Sequence, residues 1–250
     1  MKIVRCSSSI GLILAILMSS PLAESMEHKV GEKAVQEVFK DQRLAALARA
    51  ACDGNEDEID RAVKEGADPN GKGSDDVTPL YWVVRCQNMN GTEALLRAGA
   101  RPNYMFGGRF SAVYAASTMK ESAVLKLLLK YGGDPNAKDN KTNQTALQRA
   151  LSLGIHGAGW DNYYALLNAG ADINRADKVG RTIAIQAAAL NQYDKVAELL
   201  ERGYSYDLND LGRIVQAGNI DPKHRLAEWR IKVKAMLEQR GVQFPVPPKS

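Results

Sequence analysis

The chain has 250 residues, of which 45% are hydrophobic, 25% charged and 6% aromatic. This composition is typical of a folded protein and excludes a disordered or collagen-like chain. The net charge of +4 is small for this length, so charge does not indicate a nucleic-acid-binding protein. The three His and three Cys lie far apart in the sequence, which argues against a zinc site or a thioredoxin-like pair. No metal or other cofactor is expected.

Residues 1–25 have the pattern of a secretory signal peptide. Lys2 and Arg5 precede a nine-residue apolar run at 10–18, and a stretch of small residues follows. A membrane-spanning helix needs about 20 apolar residues, so a permanent anchor is the alternative that this short run disfavours. We therefore expect export to the periplasm, without a stable membrane anchor after the signal peptide is removed.

Two cleavage positions fit the end of this segment, one after Ala23 and one after Ser25. Residues 26–41 then form a leader before the folded domain. A second translation start at Met26 is an alternative use of the leader. It would give a minor cytosolic form, which could assist an effector before its secretion.

One turn motif recurs along the rest of the chain. Glycines follow each other at intervals of 33, 33, 38 and 33 residues, and at the four positions after the glycine the commonest residues are Ala, Asp, Pro and Asn in turn. Such self-similarity predicts a stack of repeats. A glycine in this place ends a helix, because the chain turns there into the left-handed region that other residues enter at a cost. The glycines are Gly66, Gly99, Gly132, Gly170 and Gly203.

A second motif follows each turn by about 12 residues. Its clearest copy is Thr78-Pro79-Leu80, where Thr78 can cap a helix with its hydroxyl and Pro79 fits the first helical position. Matching helix starts are Ser111, Thr145 and Thr182. Period, turn and helix start together resemble the ankyrin repeat, whose signature reads T-P-L-H-x-A within 33 residues.

The resemblance covers residues 42–240. It implies an all-α ankyrin-repeat solenoid of about six helix-turn-helix repeats joined by β-hairpin-like turns. At the N-terminal end, Asp41 and Asn55 are expected to cap the two helices of an atypical first repeat. The Pro-rich tail 241–250 is expected to run extended along the last repeat. The repeats span about 42–70, 74–103, 107–136, 141–174, 178–206 and 207–240.

Ankyrin repeats usually hold protein partners with their hairpin tips and the exposed positions of their first helices. The hairpin at 101–110 is unusually rich in aromatic, Met and Arg residues, which are enriched in interface hot spots. Folding of Phe106 or Phe110 back onto the helices is the alternative. The insertion at 153–161 is either a binding loop or a tolerated insertion. The candidate partner-binding residues are Trp82, Arg85, Arg101, Tyr104, Met105, Phe106, Arg109, Phe110, Thr118, Met119, Lys141, Trp160, Lys178 and Arg181.

Cys52 and Cys86 occupy adjacent motif positions in consecutive first helices. In an oxidising periplasm they are candidates for a disulfide. Two free thiols are the alternative, because Cα atoms more than about 7 Å apart cannot be bridged.

The sequence contains no nucleophile elbow, zinc-protease helix, phosphate-binding loop or dinucleotide-binding turn, so a non-enzymatic binding module is expected. Small exported ankyrin proteins resemble immunity proteins paired with secreted lipase-type effectors. This resemblance implies a protein partner, a toxic effector enzyme that the chain binds and neutralises. A periplasmic scaffold or protective factor that supports a resident enzyme under stress is the alternative. Nucleic acid is not an expected partner.

Overall fold

The computed structural model describes residues 32–218 and 226–248. Within these ranges the chain forms 13 α-helices and one short 3-10 turn, and it has no strand. The predicted signal peptide, its cleavage positions, Met26 and residues 219–225 of the last predicted repeat lie outside the described residues. The helices are α1 Glu32–Val38, α2 Gln42–Asp53, α3 Glu56–Lys64, α4 Pro79–Cys86, α5 Met89–Arg97, α6 Ala112–Ala116, α7 Ala123–Lys130, α8 Ala146–Ile155, α9 Asp161–Asn168, α10 Ile183–Ala189, α11 Tyr193–Glu201, α12 Leu208–Ala217 and α13 Ala227–Glu238.

From α2 onward the helices form six antiparallel pairs, each a first and a second helix, and each pair packs on the next. The expected all-α solenoid is therefore confirmed. The first helices begin where the sequence predicted, because a side-chain oxygen accepts a hydrogen bond from the free N–H groups of the first turn. Thr78 accepts from the Tyr81 N–H at 3.2 Å. The same bond is made at Asp41, Ser111, Thr145 and Thr182.

The recurring glycines end the second helices with φ between 82° and 94°, the left-handed conformation that the motif predicted. The asparagine four residues after the glycine links one repeat to the next. Asn70 donates to the Gly99 carbonyl at 2.9 Å and accepts from the Arg101 N–H at 2.8 Å. The side-chain oxygen of the matching asparagine also accepts a backbone N–H of the next repeat at Asn103, Asn136 and Asn174. The motif therefore fixes the spacing between repeats as well as the turn.

The core is one continuous layer between the stacked pairs. Second helices contribute leucine stripes, such as Leu125 and Leu128, which are fully buried. Small residues let the helices approach closely. At Gly91, an added Cβ would lie 1.8 Å from the Ala51 carbonyl oxygen. One repeat alone could not bury these stripes, so stability comes from stacking.

Both ends of the stack are covered. At the N-terminal end, α1 belongs to the segment interpreted as a leader, and it packs on α2. Phe39, which follows α1, is 1% exposed and meets Trp82 edge to face at 5.9 Å. At the C-terminal end, Val242 and Val246 of the tail are buried against α12. The tail therefore lies along the last repeat, as the sequence predicted.

Candidate protein-binding surface

The hairpin between the second and third repeats turns its aromatic rings inward. Phe106 is 4% exposed and stacks on Tyr81 with ring centroids 3.8 Å apart. Phe110 lies 5.8 Å from Phe106 and stacks on Tyr114 at 5.2 Å. These four rings form a column that holds the hairpin against α4 and α6. The prediction of Phe106 as a contact residue is wrong, because the ring is part of the core.

Arg109 connects this hairpin to the next one. Its guanidinium group donates two hydrogen bonds to Asp139, at 3.1 and 2.9 Å, and lies 4.4 Å from the ring centre of Phe110. Burial would raise the pKa of Asp139, but the hydrogen bonds from Arg109 and from the Lys141 N–H outweigh it and lower the pKa below its ordinary value. The Asp139 carboxylate is therefore charged at neutral pH, and Arg109 positions the tips.

The other residues of this hairpin are more accessible. Arg101 is exposed, whereas Tyr104 and Met105 are half-buried. Lys72 lies 4.9 Å from the ring centre of Tyr104. These three predicted contact residues thus remain at the surface of the hairpin.

Two of the residues predicted on the first-helix side are in the core. Trp82 is 3% exposed and packs on Phe39, and Met119 is 7% exposed. Neither side chain can contact a partner, so both predictions are wrong. Arg85 and Thr118 are half-buried. Thr118 donates its hydroxyl to the Ala115 carbonyl at 2.7 Å.

The tips of the fourth and fifth repeats are tied to their neighbours through the backbone. The Asn140 N–H donates to the Arg109 carbonyl at 3.1 Å, and the Asn140 amide donates to the Gly108 carbonyl at 2.9 Å. The Lys178 N–H donates to the Thr142 carbonyl at 3.0 Å. Three consecutive tips thus form one hydrogen-bonded row, which fixes the positions of the side chains that it displays.

Lys141, Lys178 and Arg181, three predicted contact residues, are exposed in this row. Arg181 pairs with Asp177 at 3.1 Å, and Asp177 also accepts the backbone N–H of Val179. Val179 itself is 72% exposed. The sequence interpretation missed Val179, although a β-branched apolar residue at a tip that is otherwise polar was a usable signal.

The inserted segment places Trp160 partly inside the fold. Its ring meets Tyr163 edge to face at 5.6 Å, and Lys195 lies 4.6 Å from its centre. Lys195 is only 8% exposed and donates to the Tyr164 hydroxyl at 2.7 Å. Trp160 therefore joins the fourth repeat to α11. The exposed turn at 156–159 is the part of the insertion that a partner can reach.

The structure joins Cys52 and Cys86 in a disulfide, with Cα atoms 5.5 Å apart. The bond connects α2 to α4 and so links the first two repeats. Among residues 32–218 and 226–248, no group of His, Cys, Asp and Glu side chains is arranged to hold a metal ion. No helix within the same ranges is both long and apolar enough to cross a bilayer.

Comparison with known proteins agrees with this architecture. The family profile described as ankyrin repeats (3 copies) matches residues 112–210. Residues 112–210 therefore contain ankyrin repeats. This module binds proteins and is not in itself enzymatic.

Several proteins are similar to this chain. Protein PhlB of Serratia liquefaciens is 28% identical over 188 residues, which are 75% of this chain and 80% of PhlB. Human mitochondrial disaggregase is 35% identical over 165 residues, or 64% of this chain and 22% of the disaggregase. Mouse neurogenic locus notch homolog protein 1 is 26% identical over 133 residues, or 53% of this chain and 5% of that protein. The last two matches thus cover only a small part of much longer proteins.

Proposed function

We propose that this protein is an exported, non-enzymatic inhibitor that binds a toxic effector enzyme and neutralises it, as an immunity protein does. The observation that carries the proposal is the hydrogen-bonded row of tips joining Gly108, Asn140, Thr142 and Lys178. Because this surface is already ordered before binding, association costs little conformational entropy. A small protein can therefore bind tightly enough to inhibit a single enzyme.

Two features support an exported protein. Residues 1–25 have the composition of a signal peptide, and Cys52 and Cys86 form a disulfide. Disulfides persist in oxidising compartments such as the periplasm and are rare in the cytosol. Similarity over most of the length of a Serratia liquefaciens protein favours a bacterial setting for this interpretation.

The choice of a lipase-type effector rests on the resemblance to immunity proteins stated above. It is tested with the lipase-type enzymes secreted by the organism that encodes this chain. Each enzyme is assayed on a fluorogenic ester with increasing amounts of the oxidised protein. We expect one of them to lose activity at a 1:1 ratio and to form a complex of that stoichiometry in light scattering.

A directed control separates inhibition from general protection. Cells that send the effector to their own periplasm should survive only with the full-length chain, and not with a chain that starts at Met26. Survival under peroxide that depends on the protein, without binding or inhibition of any effector, would contradict the proposal. That result would favour a scaffold that supports a resident enzyme.

A further inference from the structure

The first helices and tips of the fourth and fifth repeats carry a concentration of positive charge. Residues 138–152 and 175–190 contain six Lys or Arg and only two Asp. Both Asp side chains are buried, at 6% and 5% exposure, and they pair with Arg109 and Arg181. The two carboxylates therefore neutralise those two arginines, and the other Lys and Arg side chains of this region have no Asp or Glu of the region to neutralise them.

Only Arg181 of these six cations has a carboxylate partner among the described residues. Lys138 and Arg175 hydrogen-bond to Asn143 and to the Asn136 carbonyl, which leaves three cations. Lys141 and Lys178 are exposed on adjacent tips, which the bond from the Lys178 N–H to the Thr142 carbonyl holds side by side. Arg149 lies on α8, in the first helix that follows the Lys141 tip. Arg149 is half-buried, and its charge opposes the rise to about 12 that burial causes in the pKa of Tyr114 on α6. We call Lys141, Arg149 and Lys178 the basic strip.

The basic strip is not part of a uniformly positive molecule. The second helix of the first repeat and its flanks, residues 53–65, contain six Asp or Glu and two Lys or Arg. The overall charge of +4 therefore conceals an acidic N-terminal unit and a basic strip that are separated by the second and third repeats. Because exposed charges steer partners of opposite sign, the two regions favour different ligands.

Apolar side chains are exposed in the same repeats. Val179 follows Lys178 at the tip and is 72% exposed, and Leu190 at the end of α10 is 44% exposed. The aromatic rings of the neighbouring hairpin, by contrast, are stacked on each other, and Phe106 and Tyr114 are buried. Binding of single-stranded nucleic acid relies on exposed rings for base stacking. Cations flanked by aliphatic side chains suit a protein surface instead.

We propose that the basic strip, with Val179 and Leu190, binds an acidic protein segment that also carries apolar side chains. This inference rests on the proposed function only in taking the row of tips as the binding surface. It adds the chemistry of the partner, which is a cluster of Asp or Glu beside one or two apolar residues.

The probe is a displayed library of random 12-residue peptides, selected on the full-length oxidised protein. The selected peptides are then tested on Lys141→Glu/Lys178→Glu and on a control with the same charge change, Lys64→Glu/Lys126→Glu, at exposed positions of second helices. We expect enrichment of Asp and Glu next to an apolar residue. Affinity should fall at least tenfold on the tip variant and stay within twofold on the control.

Folding of both variants is checked by circular dichroism, and Lys141→Gln/Lys178→Gln replaces the tip variant if reversal disturbs the fold. Selected peptides without acidic enrichment, or equal affinity for both variants, would overturn the proposal. Tighter binding of an equally charged single-stranded DNA, lost in the tip variant, would assign the strip to nucleic acid and also overturn it. Self-association in sedimentation that disappears both in the tip variant and in Glu56→Lys/Glu58→Lys would also overturn the proposal. The basic strip would then bind the acidic N-terminal unit of a second copy of the chain.

The outcome is separable from that of the proposed function. An effector that is inhibited equally well by the wild type and the tip variant refutes the acidic-partner inference and leaves inhibition standing. If acidic peptides bind the strip but no effector is inhibited, the acidic-partner inference stands and the proposed inhibition is refuted.

Discussion

Removal of the disulfide between Cys52 and Cys86 should selectively destabilise the N-terminal repeats. The bond closes a loop with a sequence separation of 34. In the chain-entropy model such a loop lowers the entropy of the unfolded chain by about 13 cal/mol/K, which corresponds to about 4 kcal/mol at 25 °C. The variant Cys52→Ala/Cys86→Ala should lose up to about this much free energy of unfolding, since both side chains are only half-buried.

Guanidinium denaturation followed by tryptophan fluorescence measures this loss where it is expected. Trp82 packs against Phe39 next to the linked helices, so in a Trp160→Phe/Trp229→Phe background the tryptophan signal reports on the first two repeats. Dithiothreitol should shift the midpoint of the wild type toward that of the variant and leave the variant unchanged. An unchanged midpoint for the reduced wild type would refute the reasoning, because the link would then not constrain the unfolded chain.

Three further predictions concern single contacts. Gly91→Ala places a Cβ 1.8 Å from the Ala51 carbonyl oxygen, so it should cost about 3 kcal/mol or more in urea denaturation; a loss no larger than that of the exposed neighbour Asn90→Ala would contradict the close packing. Asp139→Asn should cost about 2 kcal/mol at pH 7 by weakening the bonds to Arg109. The folded-state pKa of Asp139 lies below its ordinary 3.8, so this stabilisation is present above pH 3.8 and is lost as the pH falls through the folded-state pKa. The difference in stability between wild type and variant should therefore shrink in thermal melts at acid pH. A difference that stays constant would disprove the charged pair. Burial raises the pKa of Tyr81 to about 12, so Tyr81→Phe should remove one late-ionising phenol from an absorbance titration at alkaline pH, and loss of a phenol that ionises near pH 10 would be the contrary result.

The helices could be predicted from the sequence because their signals are local. A capping oxygen, an N-terminal proline and a glycine at positive φ act within a few residues, so Thr78, Pro79 and Gly66 fixed the ends of helices without reference to the rest of the chain. The 33-residue period then implied the stacking. The asparagine bridges use the same motif, yet their partners lie about 30 residues away, which a local interpretation does not supply.

The candidate surface was harder to predict, because the direction of a side chain depends on its neighbours in space. Phe106 and Phe110 lie in the same hairpin and have the same side chain. Phe106 is nonetheless the more buried of the two, because Tyr81 of the preceding repeat covers its ring. Trp82 is buried by Phe39, from a segment that the sequence interpretation left outside the folded domain. The tip lysines were predicted correctly as exposed residues, since no apolar neighbour competes for a charged side chain at a turn.

Hydrogen exchange on this protein, free and bound to an effector that we propose it inhibits, tests the preordered binding surface most directly. The stacked repeats present a preordered row of tips, which we propose binds a protein. A preordered row of tips predicts slowed exchange in the complex at residues 138–144 and 175–182, with little change in the second helices. Protection confined to the second helices, or an unprotected row of tips in a stable complex, would contradict it.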